Sequence, residues 1–214
     1  MTEIIAVLLI VFASLTGLGH AAEIPTNEQP MYGNGNVSPE AQRSNKAFVE
    51  STSEPNRKLV SNKAVDIGWR AIGSNDLGKA MRRFNQGWLL DPHNGRVYWG
   101  FAVVLQIRDN NLPASIKMSN RARKLLPNDP ALLLDYGRKL EGAGQYEDGI
   151  IRFKAALAMD ENIPPAYYGL VRAYLGLKNI ERAAHFAKVG QKFGIPMTDR
   201  EIEQLQQQAK QKRK

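Results

Sequence analysis

A period of 34 residues runs through most of this chain and constrains its fold more than any other feature. Set in windows 61–94, 96–129, 130–163 and 164–197, with Gly95 as one extra residue, the chain repeats its small side chains in columns. The twentieth places hold Ala80, Ser115, Gly149 and Ala183; the twenty-seventh hold Gly87, Ala122, Ala156 and Gly190. The eighth places hold Gly68, Val103, Gly137 and Val171. Two antiparallel helices approach closely only where a small side chain sits at their crossing, with larger residues filling the space between. A column of such residues at a fixed period predicts one helix–turn–helix unit per window, stacked on its neighbours.

Apolar spacing agrees. Ala64, Ile67, Gly68 and Ala71 follow i, i+3, i+4, i+7, and Ile150, Phe153 and Leu157 mark the second helix of the third window. In the stretch RFNQGWLLDPHN (residues 83–94), Phe84 and Trp88 are core aromatics with Gly87 at the crossing between them. Asp91-Pro92 ends that helix, because proline lacks an N–H and disfavours helix at the residue before it. Asn94 is placed to cap the next helix. Pro127 stops the second window, and Asn128-Asp129-Pro130 opens the third with a cap and a proline.

The period, Gly68 with Ala80, Phe84 and Asp91-Pro92, and Gly137 with Gly144-Gln-Tyr146, Gly149, Phe153 and Ala156, resemble tetratricopeptide repeats. The match is strong in the first and third windows and weaker in the second and fourth. The second has Leu112-Pro113 in place of the usual aromatic turn, and the fourth lacks a terminal proline in register. The string RFNQGWLLDPHN…YWGFAVV is also similar to small exported bacterial tetratricopeptide proteins. The expected fold is all-α: a solenoid of about four helix pairs over 61–197, closed by a capping helix in 198–214. Thr198-Asp-Arg-Glu201 reads as a capping box, and Ile202, Leu205 and Ala209 as the narrow apolar stripe of that helix.

The resemblance implies a peptide groove on the wall of first helices, at the second, fifth, ninth, twelfth and thirteenth places. These give Val65, Trp69 and Ile72; then Val97, Val104, Ile107 and Arg108; then Leu134, Arg138 and Glu141; then Tyr168, Arg172 and Leu175. Arg138 and Arg172 hold equivalent places in adjacent windows, an arrangement suited to gripping one carboxylate through paired hydrogen bonds. Trp69 would anchor an apolar side chain. The ligand expected is another protein, offering an extended or helical segment with an acidic group. The alternative is that the arginines are solvated or paired with Glu141, and that Trp69 packs on the N-terminal linker. The Lys/Asn clamp with which some family members hold chaperone tails is absent, since Val65 and Trp69 stand at its first positions.

The other features bear on location and chemistry. Residues 4–18 form an apolar run followed by Gly19-His-Ala21-Ala22, which predicts a secretory signal cleaved after Ala21. The run is short for a membrane span, and its Met-Thr-Glu start lacks the usual basic residue, so a retained N-terminal anchor is the alternative. Export, periplasmic or secreted, removes nucleic acid as a partner. Residues 22–60 read as a flexible linker, with a short helix near 39–51 after the Ser38-Pro39-Glu40 start signal, and Asn36-Val-Ser38 matches a glycosylation acceptor. The net charge is +8, carried by residues 61–197 with twenty basic against twelve acidic groups, and the tail Lys210–Lys214 adds a basic patch. Such a body attracts anions, so the second function class is contact with anionic lipid or cell-wall polymer. There is no cysteine, and His20, His93 and His185 have no metal spacing. No nucleophile elbow or phosphate loop is present. The chain therefore reads as a non-enzymatic scaffold without cofactor or metal.

Overall fold

The computed structural model describes residues 23–34 and 37–211. The expected signal or anchor, Asn36 of the glycosylation triplet and the last three residues of the basic tail lie outside them. Among the described residues there is no strand. A 3-10 turn Thr26–Glu28 leads into a four-residue turn α1 (Met31–Asn34) and helix α2 (Pro39–Glu50), which Ser38 Oγ caps on Ala41 N at 3.2 Å. A second 3-10 turn (Glu54–Asn56) runs into α3 (Arg57–Gly73), so the first helix begins four residues ahead of the first window. The array then continues as α4 (Leu77–Leu90), α5 (Gly95–Ile107), α6 (Leu112–Leu125), α7 (Pro130–Gly142), α8 (Tyr146–Met159), α9 (Pro164–Gly176) and α10 (Ile180–Gln191), and ends in α11 (Asp199–Gln211).

Caps set these limits. Asp76, Asn94, Asn111, Asp129 and Asn179 each accept a backbone N–H of the helix that follows, at 2.9–3.1 Å. Each turn inside a pair reverses through one left-handed residue: Asn75, Asn110, Gly144 and Lys178. Lys178 is the costly member, at φ 57°, because its Cβ crowds the backbone there. Lys178→Gly is expected to raise stability by about 0.5 kcal/mol, strain relief exceeding the entropy cost of glycine, and to shift the urea midpoint upward.

The insertion in the second repeat is not where the small-residue columns place it. The turns at 74–76, 143–145 and 177–179 have three residues, whereas 108–111 has four. Gly95 is the first residue of α5, and a Cβ there would meet Leu126 Cγ at 2.6 Å. The extra residue therefore sits in the internal turn, and the register of α5 moves by one.

Two aromatic wedges hold neighbouring repeats together. The ring of Phe84 on α4 fills the space left by two glycines: a Cβ at Gly68 would lie 2.6 Å from it, and one at Gly100, in the next repeat, 2.4 Å. Phe153 on α8 does the same between Gly137 and Gly169, at 2.7 and 2.5 Å. The corresponding places on α6 and α10 hold Ser119 and Ala187, both fully buried. Large and small thus alternate along the array. Most of the buried apolar residues fall into two clusters, one running from Met31 to Leu132 and one from Ile150 to Ala209. The second is closed by α11, whose Ile202, Leu205 and Ala209 are buried as the stripe predicts. The capping box forms as well: Thr198 N donates to Glu201 Oε2 at 2.7 Å and Glu201 N to Thr198 Oγ1 at 3.3 Å. The Thr198 N–H and the Thr198 hydroxyl, which also donates to Glu201 Oε2 at 2.7 Å, hold the Glu201 carboxyl below its ordinary value.

Candidate functional site

The wall of first helices is built by α3, α5, α7 and α9. At its start Trp69 stands edge-on to Trp99, with centroids 4.9 Å apart, and to the core ring of Phe84 at 5.8 Å. Arg96 on α5 pairs with Asp66 on α3 at 2.8 Å. Trp99 Nε1 donates to Asp135 Oδ2 on α7 at 2.9 Å, and Lys139, one turn further on, donates to the same oxygen. Lys139 is 1% exposed, and burial pulls its pKa below the ordinary lysine value despite the Asp135 carboxylate, which opposes the shift. At the far end Arg172 donates twice to Glu141 Oε1, at 2.9 and 3.2 Å, and lies 6.0 Å from the Tyr168 ring. Arg138 is exposed and has no hydrogen bond or ion pair with any described residue.

The structure thus separates the groove residues expected from the sequence. Leu134, Arg138, Glu141, Tyr168, Arg172 and Leu175 lie on α7 and α9 with at least part of each side chain accessible. Trp69 and Ile72 are half-buried on α3. Ile107 and Leu175 are exposed at 56% and 42%. Val65, Val97 and Val104 are wholly buried, so no ligand reaches them. For Val97 and Val104 the cause is the register of α5: counted from its cap, Trp99, Val103 and Gln106 occupy the places of Leu134, Arg138 and Glu141. Arg108 leaves the wall for the same reason. It donates to Asp109 Oδ1 at 2.6 Å and to the carbonyl of Glu28 at 2.9 Å. Sequence reasoning missed Trp99, Asp135 and Lys139. The Asn94 cap was the signal that would have located Trp99.

Where a linker was expected, residues 26–31 lie against the second helices α4 and α6 and the end of α5. Asn85 Nδ2 on α4 donates to the carbonyls of Asn27 and Gln29, at 2.9 and 2.8 Å. The Glu28 carboxylate pairs with Arg82 and, at 3.6 Å, with Arg108. Met31 is buried beside Met118, and Arg121 Nη1 lies 3.7 Å from its sulfur. Among the described residues no group of three His, Asp or Glu is placed to hold a metal ion, and no helix is long and apolar enough to cross a membrane.

No protein-family model matches this chain, and no curated protein matches it. Solved structures do. PilF of Pseudomonas aeruginosa superposes with a TM-score of 0.59 at 17% identity, over 65% of this chain and 63% of that one. MamA gives 0.58 at 16% identity, over 71% and 85%. PilW, a type IV pilus biogenesis factor, gives 0.52 at 22% identity, over 76% and 72%. The chain spans less than two thirds of the PilF chain. These likenesses show the fold, a tetratricopeptide-type helical-repeat array.

Proposed function

We propose that this array is a non-enzymatic scaffold that binds a segment of another protein along the wall of α5, α7 and α9. One observation carries the reading: the exposed apolar side chains Ile107 on α5 and Leu175 on α9, and an exposed guanidinium, Arg138, on α7, share a wall that also presents Trp99 and Tyr168. Apolar side chains left in water on the same wall as an unpaired cation suit a segment that combines apolar residues with a carboxylate. Arg138 is the anchor for that carboxylate, because Arg172 is already engaged by Glu141. The apolar run at 4–18 and the likeness to PilW favour a partner in cell-envelope assembly. A second reading, adhesion to anionic lipid or wall polymer, is favoured by Lys117, Arg121 and Lys124, which line one pocket on α6.

Photo-crosslinkers at Leu175 and, as control, at exposed Ile151 on α8 test the choice. At about 0.3 M salt, where exposed charges are strongly screened, Leu175 should crosslink a protein that Ile151 does not. Arg138→Glu should cut the yield at least tenfold. A yield that ignores Arg138→Glu would overturn the groove reading. Retention on anionic vesicles or wall polymer that vanishes with salt, without a protein crosslink, would establish the second.

A further inference from the structure

The face made by α4, α6 and the end of α5 carries features that the groove reading does not use. Gly78 is the second residue of α4, where a glycine weakens the helix and no turn requires one. A Cβ there would lie 2.8 and 2.9 Å from the two carboxylate oxygens of Glu28. The glycine thus opens a seat for an acid. Arg82 and Arg108, from two successive repeats, each pair with one oxygen of that acid. Asn85 reads the main chain on either side of the acid through two carbonyls, a contact that depends on the turned backbone and not on the side chains. Three residues after the acid, Met31 enters the apolar core at 8% exposure.

We propose that this face is a second peptide-recognition site, separate from the wall of first helices. It reads a turned segment, a 3-10 turn that ends on a carboxylate three residues before a methionine. Its occupant is the chain's own Asn27–Met31, held in exchange with solution. Two observations support exchange. The docked segment continues with Met31 and Tyr32 at φ 52° and 53°, a left-handed conformation that L-residues adopt only at a cost, which release refunds. The site left behind is lined by Arg82, Asn85 and Arg108, groups that water satisfies readily, and only one large apolar side chain has to leave the core.

The test uses the full chain. Glu28→Lys with Met31→Asp removes both anchors of the occupant and leaves the site intact. Hydrogen exchange at the amides of residues 27–33 should then quicken at least tenfold, with helix content unchanged. A labelled peptide of residues 24–34 should bind this variant at least tenfold more tightly than it binds the wild type, where the cis segment competes. Adding Arg108→Glu should abolish that binding, as should the Glu28 and Met31 changes made in the peptide. Unquickened exchange would show that these anchors do not hold the segment. A freed site that ignores the peptide, or binds it regardless of Arg108, would show that the face recognises nothing. Loss of helix in the detached variant would make the segment a structural strap. Each of these overturns the proposal.

Discussion

Phe84→Ala is expected to destabilise the first half of the array by about 3–5 kcal/mol, the range for deleting a large ring from a core that cannot collapse around the gap. The ring is fully buried and lies between two helices of different repeats, so its loss loosens the α3–α4 pair and the α4–α5 boundary together. Gly100→Ala in the wild type should cost about 1–3 kcal/mol, because the new methyl meets the ring well inside contact distance. In the Phe84→Ala background the same substitution should become neutral or stabilising by up to about 1 kcal/mol, since the methyl now occupies vacated space and alanine favours helix. The sign reversal is the diagnostic part. Trp69, Trp88 and Trp99 all lie within residues 61–129, so tryptophan fluorescence reports the first half and circular dichroism reports both. A urea titration should show the fluorescence midpoint falling while part of the dichroism signal melts at its original place. Effects of the two changes that add to within about 0.5 kcal/mol would remove Phe84 as the wedge.

That experiment bears on what the sequence made legible. The columns of small residues, Phe84 facing Gly68, the stop at Asp91-Pro92 and the stripe on α11 were all readable, because each belongs to a helix pair whose partners are close in sequence. The offset of α5 was not read, although it left a trace. With the window begun at Gly95 the eighth column becomes Gly68, Ala102, Gly137 and Val171, and Ala102 does take the packed place, its carbonyl accepting from Ser115 Oγ at 2.6 Å. Windows drawn around the twentieth and twenty-seventh columns cannot detect an insertion that lies ahead of both. Docking of residues 27–31 was illegible for another reason. Its contacts join residues 54–90 positions apart, between a Pro- and Asn-rich segment and helices whose own periodicity is complete without it. Among the residues expected to line a groove, Arg138 and Glu141 are assigned by their place in the period alone. The engagement of Arg172 by Glu141 is one of two arrangements the sequence allows, and only the three-dimensional structure assigns it.

Lys139 is the least legible residue of all, since a lysine on a helix ordinarily faces water. It is buried on α7, between the last residue of the first core cluster and the first of the second, with Asp135 one turn before it as its counter-ion. Asp135→Ala is therefore expected to cost about 3–5 kcal/mol, because it leaves the ammonium buried without its counter-ion and Trp99 Nε1 without its acceptor. Asp135→Leu with Lys139→Met should be nearly neutral or stabilising, since an apolar pair of similar volume needs no desolvation of charge. Fluorescence and dichroism midpoints should part in the single variant and rejoin in the double. The pH dependence has a definite sign. Lys139 has a folded pKa below the ordinary 10.5, so in the window between the two values the unfolded chain binds the proton and the folded chain does not. Stability from this group must rise with pH through that window and level off above 10.5. Tyr98, Tyr136 and Tyr167 have raised pKa values through burial and lose stability as pH climbs, so the contribution has to be isolated by difference. Wild-type stability minus that of Lys139→Met, measured by urea titration from pH 8 upward, should increase toward pH 10.5. A flat difference would mean that the lysine is solvated and the two halves meet through apolar contact alone.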